Sequence, residues 1–238
     1  MSSSPSDAEV MTRRFRTVAE RVLDACAADA PEWALELGDA RWSDKLSDFS
    51  VTADARRAAV LTDALGSLDE IDPDLLAPED LVDLEMLRSE ISAQLWRTAE
   101  LRPHTWDPLV HSPGKAFHAL LESDLLPMPE RLDALTARCG LLPEYLATAR
   151  DRLSEGPGMS RVHVETALAQ LEEARELFSS AVPALGAGGG TRVEAACAAA
   201  SAALEEHTVW MRGQLDMAFA DPRLGEWVHS AQLWYTLD

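Results

Sequence analysis

An all-α protein, a multi-helix bundle of antiparallel helical hairpins, is what this sequence predicts, on three observations. Apolar residues recur at steps of three and four along most of the chain. Prolines and glycines interrupt that pattern about once per helix. No segment alternates apolar and polar side chains over a strand's length with β-branched enrichment, so no significant β-sheet is expected. On this reading residues 1–238 form a single helical domain. Hairpins are the local theme, without the fixed period that marks a solenoid.

Ser6 with Glu9 makes a capping box ahead of Val10, Phe15, Val18, Val22 and Leu23, which predicts a first helix from about Asp7 to Asp29. Pro31 ends it and opens a short helix, PEWALELG, closed by Gly38. Asp39–Ser50 is polar and aperiodic, an ordered loop pinned by Trp42 and Phe49. Ser50 or Thr52 caps a third helix through Val60, Leu61, Leu65 and Leu68 to about Ile71, where Asp72-Pro73 breaks it.

The longest pattern follows. Pro78 suits a first turn, and Glu79 and Asp80 place negative charge at the positive end of the helix dipole. Leu81, Leu84, Leu87, Ile91, Leu95 and Thr98 then make one apolar stripe. Pro103 stops the helix at about Leu101, roughly 24 residues and 36 Å from its start. With only a short break between them, the third helix and this one should pack antiparallel.

Pro103–Pro113 is a proline-rich passage, and Ser112-Pro113 reads as a cap with a first-turn proline for a helix through Phe117, Leu120 and Leu121. Pro129–Cys139, ended by Gly140, and Pro143–Leu153, ended by Gly156-Pro157-Gly158, read as two short helices. Ser160 caps a long helix to Val182, stopped by Pro183. Thr191 with Glu194 opens an alanine-rich helix continuing through Leu204, Trp210, Leu215 and Phe219, and Asp221-Pro222 starts the last one.

Forty-seven per cent hydrophobic residues supply a substantial core. The 41 acidic against 21 basic residues leave a net charge of −20, which repels phosphate backbones and anionic headgroups. Nucleic acid is therefore not an expected partner. No apolar run reaches the roughly 18 residues of a membrane span, and MSSSPSDAEV is neither basic nor apolar as a signal peptide would be. The expectation is a soluble, cytoplasmic chain with no membrane association. Cys26, Cys139 and Cys197, odd in number and far apart inside helical patterns, read as buried thiols of a reducing compartment.

No catalytic constellation is apparent. His104, His111 and His118 are spaced by seven, but the intervening prolines deny them a common helix face. Glu226 and His229 form one Glu-x-x-His pair where a di-iron bundle needs two. Gly186, Gly188, Gly189 and Gly190 follow a helix rather than a strand and lack a phosphate-loop lysine, so they read as a connection. His163-Val164-Glu165 lacks a deaminase's companion Pro-Cys-x-x-Cys, and neither Gly-x-Ser-x-Gly nor His-Glu-x-x-His occurs. The least ordinary passage is Trp106-Asp107-Pro108-Leu109. An aromatic and a carboxylate at a proline turn can line a pocket, which makes Trp106, Asp107 and His111 the candidate substrate-binding residues; a core tryptophan beside a capping aspartate is the competing structural explanation.

Several segments together resemble the N-terminal region of a large bacterial family, domain of unknown function 885. They are PEWALELGDARWSDKLSDFS, LGSLDEIDPDLLAPEDLVDLEMLRSEI, the Trp106–Leu109 turn, LTARCGLLPEYLATARDRL and RLGEWVHSAQLWYTLD. Members of that family are usually more than twice this long and resemble helical zinc metallopeptidases, with a His-Glu-x-x-Pro-Gly-His type motif in the C-terminal half. That motif is absent here, so the resemblance assigns no metal ligand and no cofactor to this chain and places zinc in the half it lacks. It implies a cleft-forming helical part that is not catalytic by itself, with Trp227, Leu233, Trp234 and Tyr235 covered by the missing C-terminal domain or by a second copy. The apolar ending LWYTLD fits a chain cut before that domain. A free-standing module that binds a protein or a small ligand is the alternative.

Overall fold

The computed structural model describes residues 6–185 and 191–237, and these are helical, with no strand among them. In chain order the α-helices are α1 (Asp7–Asp29), α2 (Pro31–Glu36), α3 (Val51–Asp69), α4 (Pro78–Trp96), α5 (Pro113–Glu122), α6 (Met128–Glu155), α7 (Arg161–Glu176), α8 (Val182–Leu185), α9 (Thr191–Gln214) and α10 (Gly225–Leu237). The one β-type contact among the described residues is an isolated bridge between Ser160 and Phe219. The glycine run from Gly186 lies outside the described residues.

Two compact units are present. The first comprises the residues up to Cys26, Val51–Arg102 and those from Leu224 on. Its core is Phe15 of α1, Leu68 of α3, Ile71 just past the end of α3, and Leu84 of α4, all at most 3% exposed. The capping box forms as the sequence predicts: the Ser6 N–H donates to Glu9 Oε2 at 2.8 Å and the Glu9 N–H to Ser6 Oγ at 3.3 Å. α3 and α4 pack together as the short break requires. Arg88, half-way along α4, donates through Nη2 to the Leu68 carbonyl at 3.0 Å, a second donor at the end of α3 to a carbonyl that also accepts the Ile71 N–H at 3.1 Å.

The α4 stripe differs from its expected register. Leu84 and Ile91 are buried, but Leu81 is 36% exposed and Asp80 is buried in its place. Arg16 of α1 explains the exchange, donating to Asp80 Oδ1 at 3.1 Å, so a paired carboxylate takes the first turn of the inner face. The last turn, expected to be α, is a π-turn over Arg97–Leu101 that closes with the Arg102 N–H on the Arg97 carbonyl at 2.8 Å. Pro103 bars Arg102 from the right-handed helical region, and Arg102 takes the left-handed one instead, at φ 48°.

The second unit comprises Ala27–Ser50 and Pro103–Arg223, and its core runs along α6 and α9 with α5 and α7 packed on them. Here the expected break at Gly140 does not occur. α6 is one helix of 28 residues with Pro143 inside it. Leu135, Cys139, Leu142, Leu146, Ala149 and Leu153 are buried at steps of four and three straight across the interruption. An interior glycine and proline cost about 1 and 3 kcal/mol. Four buried leucines at roughly 2 kcal/mol each outweigh them. Packing overrides punctuation. Gly140 is exposed and a methyl group built there meets nothing within 4 Å, so Gly140→Ala should stabilise the protein by about 0.5–1 kcal/mol. The measurement is a urea midpoint that rises at constant slope.

Three other boundaries move. Pro183 does not end α7: a π-turn over Leu177–Ala181 widens the helix, which runs on as α8 to Leu185. α9 stops at Gln214, before a short 3-10 turn, and Phe219 lies off it at 86% exposure. Asp221-Pro222 makes a turn rather than a helix start, because the Asp221 carboxylate accepts the Arg223 N–H at 3.0 Å. α10 begins at Gly225, whose φ of 78° only glycine adopts freely. Arg131 of α6 repeats the device of Arg88, donating to the Leu121 carbonyl at 3.1 Å at the end of α5. No described helix is long and apolar enough to cross a membrane.

Candidate functional site

Prolines at 103, 108 and 113 turn the passage after α4 into two single 3-10 turns, Pro103–Thr105 and Pro108–His111. Asp107 starts the second, its Oδ1 accepting the Leu109 N–H at 3.0 Å. The aspartate thus serves as the cap that the competing explanation assigned it. The same carboxylate also lies 3.8 Å from Nδ1 of His163, and the Trp106 ring stacks on that imidazole with centroids 6.0 Å apart. His163 is presented by the first turn of α7, where Ser160 Oγ accepts its backbone N–H at 3.3 Å. A half-buried Trp106–Asp107–His163 group results. In the sequence His163 stood out only as part of a His-x-Glu triplet and was not linked to Trp106 and Asp107, although a histidine three residues after a serine cap faces whatever the helix start faces.

His111 does not join this group. It is 1% exposed and its Nε2 donates to the His104 carbonyl at 2.8 Å. A carbonyl only accepts, so Nε2 carries the proton, and Nδ1 is left buried without a partner. Burial holds the His111 pKa down at about 4. Arg152 Nη2 donates to His104 Nε2 at 3.0 Å, and Phe49 stacks on His104 and meets His111 edge-on at 4.8 Å. Two of the three histidines spaced by seven are thus brought together, by paired turns rather than by a helix face, while His118 stays exposed on α5.

The donor set does not fit a zinc ion. Among the described residues no group of three or more His, Cys, Asp or Glu is placed to hold a metal. His104 and His111 are tied to Arg152 and to a carbonyl, Cys26, Cys139 and Cys197 are buried, and Glu226 and His229 are exposed on α10.

The other candidate is a surface of the first unit. α10 turns Val228, Ala231 and Tyr235 inward, with Tyr235 stacked on Trp96 at 5.3 Å. Trp227 and Trp234, two helical turns apart on one face, are 83% and 67% exposed, and Leu233 is 43% exposed. Beside Trp234 a groove of about 730 Å³ runs along the outer face of α4, past Leu81, Val82 and Met86. Val82 and Met86 are 57% and 66% exposed. The groove is mixed in character, since Glu85, Arg88, Ser89 and Ser92 line it beside the apolar side chains, and the tryptophan faces next to it are uncovered by the rest of the unit.

The model of a family described as bacterial proteins of unknown function, DUF885, matches residues 31–238. The chain belongs to the DUF885 family. Among solved structures, a candidate lipoprotein of unknown function from Shewanella oneidensis is similar, with a TM-score of 0.85 at 20% sequence identity. The likeness covers 93% of this chain and 42% of that one, so this DUF885 chain spans less than half the length of its structural neighbour. At that identity the likeness is one of fold. No curated protein matches the sequence.

Proposed function

We propose that this chain is the helical, cleft-forming part of a longer DUF885 protein, not catalytic by itself, and that the remaining part seats on the groove between α4 and α10. The observation that carries the reading is the pair Trp227 and Trp234, exposed on one helix face, the second of them lining that groove. Contiguous apolar patches on soluble proteins mark contacts with a partner, and buried tryptophans dominate the energy of such contacts. The neighbour that shares the fold is more than twice as long, so in that protein the same helices have further chain to meet. On this reading Trp227, Leu233 and Trp234, with the groove that the inward-turned Tyr235 also lines, are a seat for a C-terminal domain.

Peptidase-like zinc chemistry, implied only by the resemblance, belongs on this reading to that domain. Activating water needs about three fixed protein ligands and an open position, which the described side chains do not assemble. Metal analysis of the purified chain should find zinc well below one per chain and no hydrolysis of peptides. One zinc per chain with chelator-sensitive hydrolysis would falsify the proposal. A second measurement addresses the surface. The chain should enhance the emission of an apolar dye, and Trp227→Ser with Trp234→Ser should remove half or more of that enhancement without changing the far-ultraviolet spectrum.

A further inference from the structure

We propose that Cys139 and Cys197 are a redox pair: exchange with a small-molecule disulfide joins their sulfurs and locks α6 to α9. The two residues are far apart in sequence and meet in space. α6 and α9 pack on each other along the core of the second unit, with Cys139 in the buried stripe of α6 and Cys197 in the second turn of α9. They are 0% and 4% exposed, and the Cys139 thiol donates a hydrogen bond to Cys197 Sγ. Cys26 belongs to the first unit.

A disulfide needs its two Cα atoms within about 7 Å, so the helix backbones must come close. Small residues allow it: Ala195, Ala196, Ala198 and Ala199 flank Cys197, and Gly140 follows Cys139. Pro143 adds freedom at the right place. Lacking an N–H, it denies the Cys139 carbonyl the donor that a helix supplies four residues on, so the backbone at Cys139 shifts at less cost than elsewhere in α6.

The contact also assigns an order of attack. Burial raises the pKa of both thiols, and the hydrogen bond from Cys139 opposes that rise at Cys197. Cys197 therefore loses its proton first. Its thiolate attacks one sulfur of the external disulfide, whose S–S bond breaks, and the departing thiolate takes up a proton. The Cys139 sulfur, deprotonated in turn, attacks Cys197 Sγ in the mixed disulfide and expels the second thiol. Two protein S–H groups are oxidised and one external disulfide is reduced to two thiols. With both sulfurs buried, exchange in the folded chain waits on local opening around α9 and is slow.

The test incubates the whole chain with oxidised glutathione in excess over reduced glutathione at pH 8, once folded and once during refolding from urea, where burial is no barrier. After alkylation in denaturant, the refolded chain should carry one alkylated cysteine in place of three. Digestion should place the Cys139–Cys197 link in more than about two-thirds of it, against about one-third for random pairing of three thiols. The folded chain should reach the same product more slowly. Cys26→Ala should keep the product, and Cys197→Ala should leave only glutathione adducts. The linked chain should unfold at a urea midpoint about 1 M or more above that of the same chain reduced with dithiothreitol, because the cross-link restrains the unfolded state. Glutathione adducts alone after refolding, links to Cys26 in equal amount, or a midpoint no higher than that of the reduced chain overturns the proposal.

Discussion

Gly156→Ala should cost the protein about 3 kcal/mol or more, whereas the same substitution at Gly140 should stabilise it. At Gly156 φ is −77°, so an alanine meets no backbone penalty there. The cost is steric. A methyl group built on Gly156 would sit 1.7 Å from the Thr105 carbonyl oxygen and 2.8 Å from its carbon, both backbone atoms that cannot rotate away. To make room, the Pro103–Thr105 turn must retreat from the end of α6, straining the Arg152–His104 bond at 3.0 Å and the His111–His104 bond at 2.8 Å. Equilibrium urea unfolding would show the loss as a lower midpoint at unchanged slope. A midpoint equal to that of the parent would mean that the turn does not press on Gly156.

Acid should destabilise the second unit well before carboxylates titrate. His111 and His207 are both buried, at 1% exposure each, and burial first, with Arg152 and Arg150 respectively nearby, holds their pKa values at about 4 against an ordinary 6.5. Between those values the unfolded imidazoles bind protons that the folded ones refuse, so stability rises with pH and is lost as pH falls from about 6.5 towards 4. A shift of this size is worth up to about 3 kcal/mol per histidine. Asp39 and Asp221 have lowered pKa values through Arg41 and Arg223, and their windows lie below the usual carboxylate range. Urea midpoints at pH 7, 6 and 5 therefore isolate the histidines. They should fall steadily; a flat profile across that range would show that the two rings become protonated in the folded state.

Helix identity was legible wherever periodicity and capping agreed. α1 begins and ends where Ser6, Glu9 and Pro31 place it, and Gly38, at φ 89°, closes α2 as a glycine after a helix should. Gly140 and Pro143 misled because local propensity is outvoted by a buried stripe that only the partner helix α9 reveals. Asp80 was assigned to the helix dipole, and its burial could not be read without Arg16, 64 residues away in sequence. The turn after α4 was recognisable as unusual from its prolines and Trp106. What it assembles was not, since His163, Phe49 and Arg152 arrive from three other segments with no shared spacing. The exposed tryptophans of α10 were expected from the apolar ending of the chain.

The reading of this chain as one part of a longer DUF885 protein rests on what covers α10. Oxidative footprinting of Trp227 and Trp234, in the isolated 238-residue chain and in the complete product of its gene, addresses that directly. Both tryptophans should label readily in the isolated chain and be protected severalfold in the complete product. Equal labelling in the two, or a reading frame that stops at Asp238 with no neighbouring gene supplying the rest, would contradict the account.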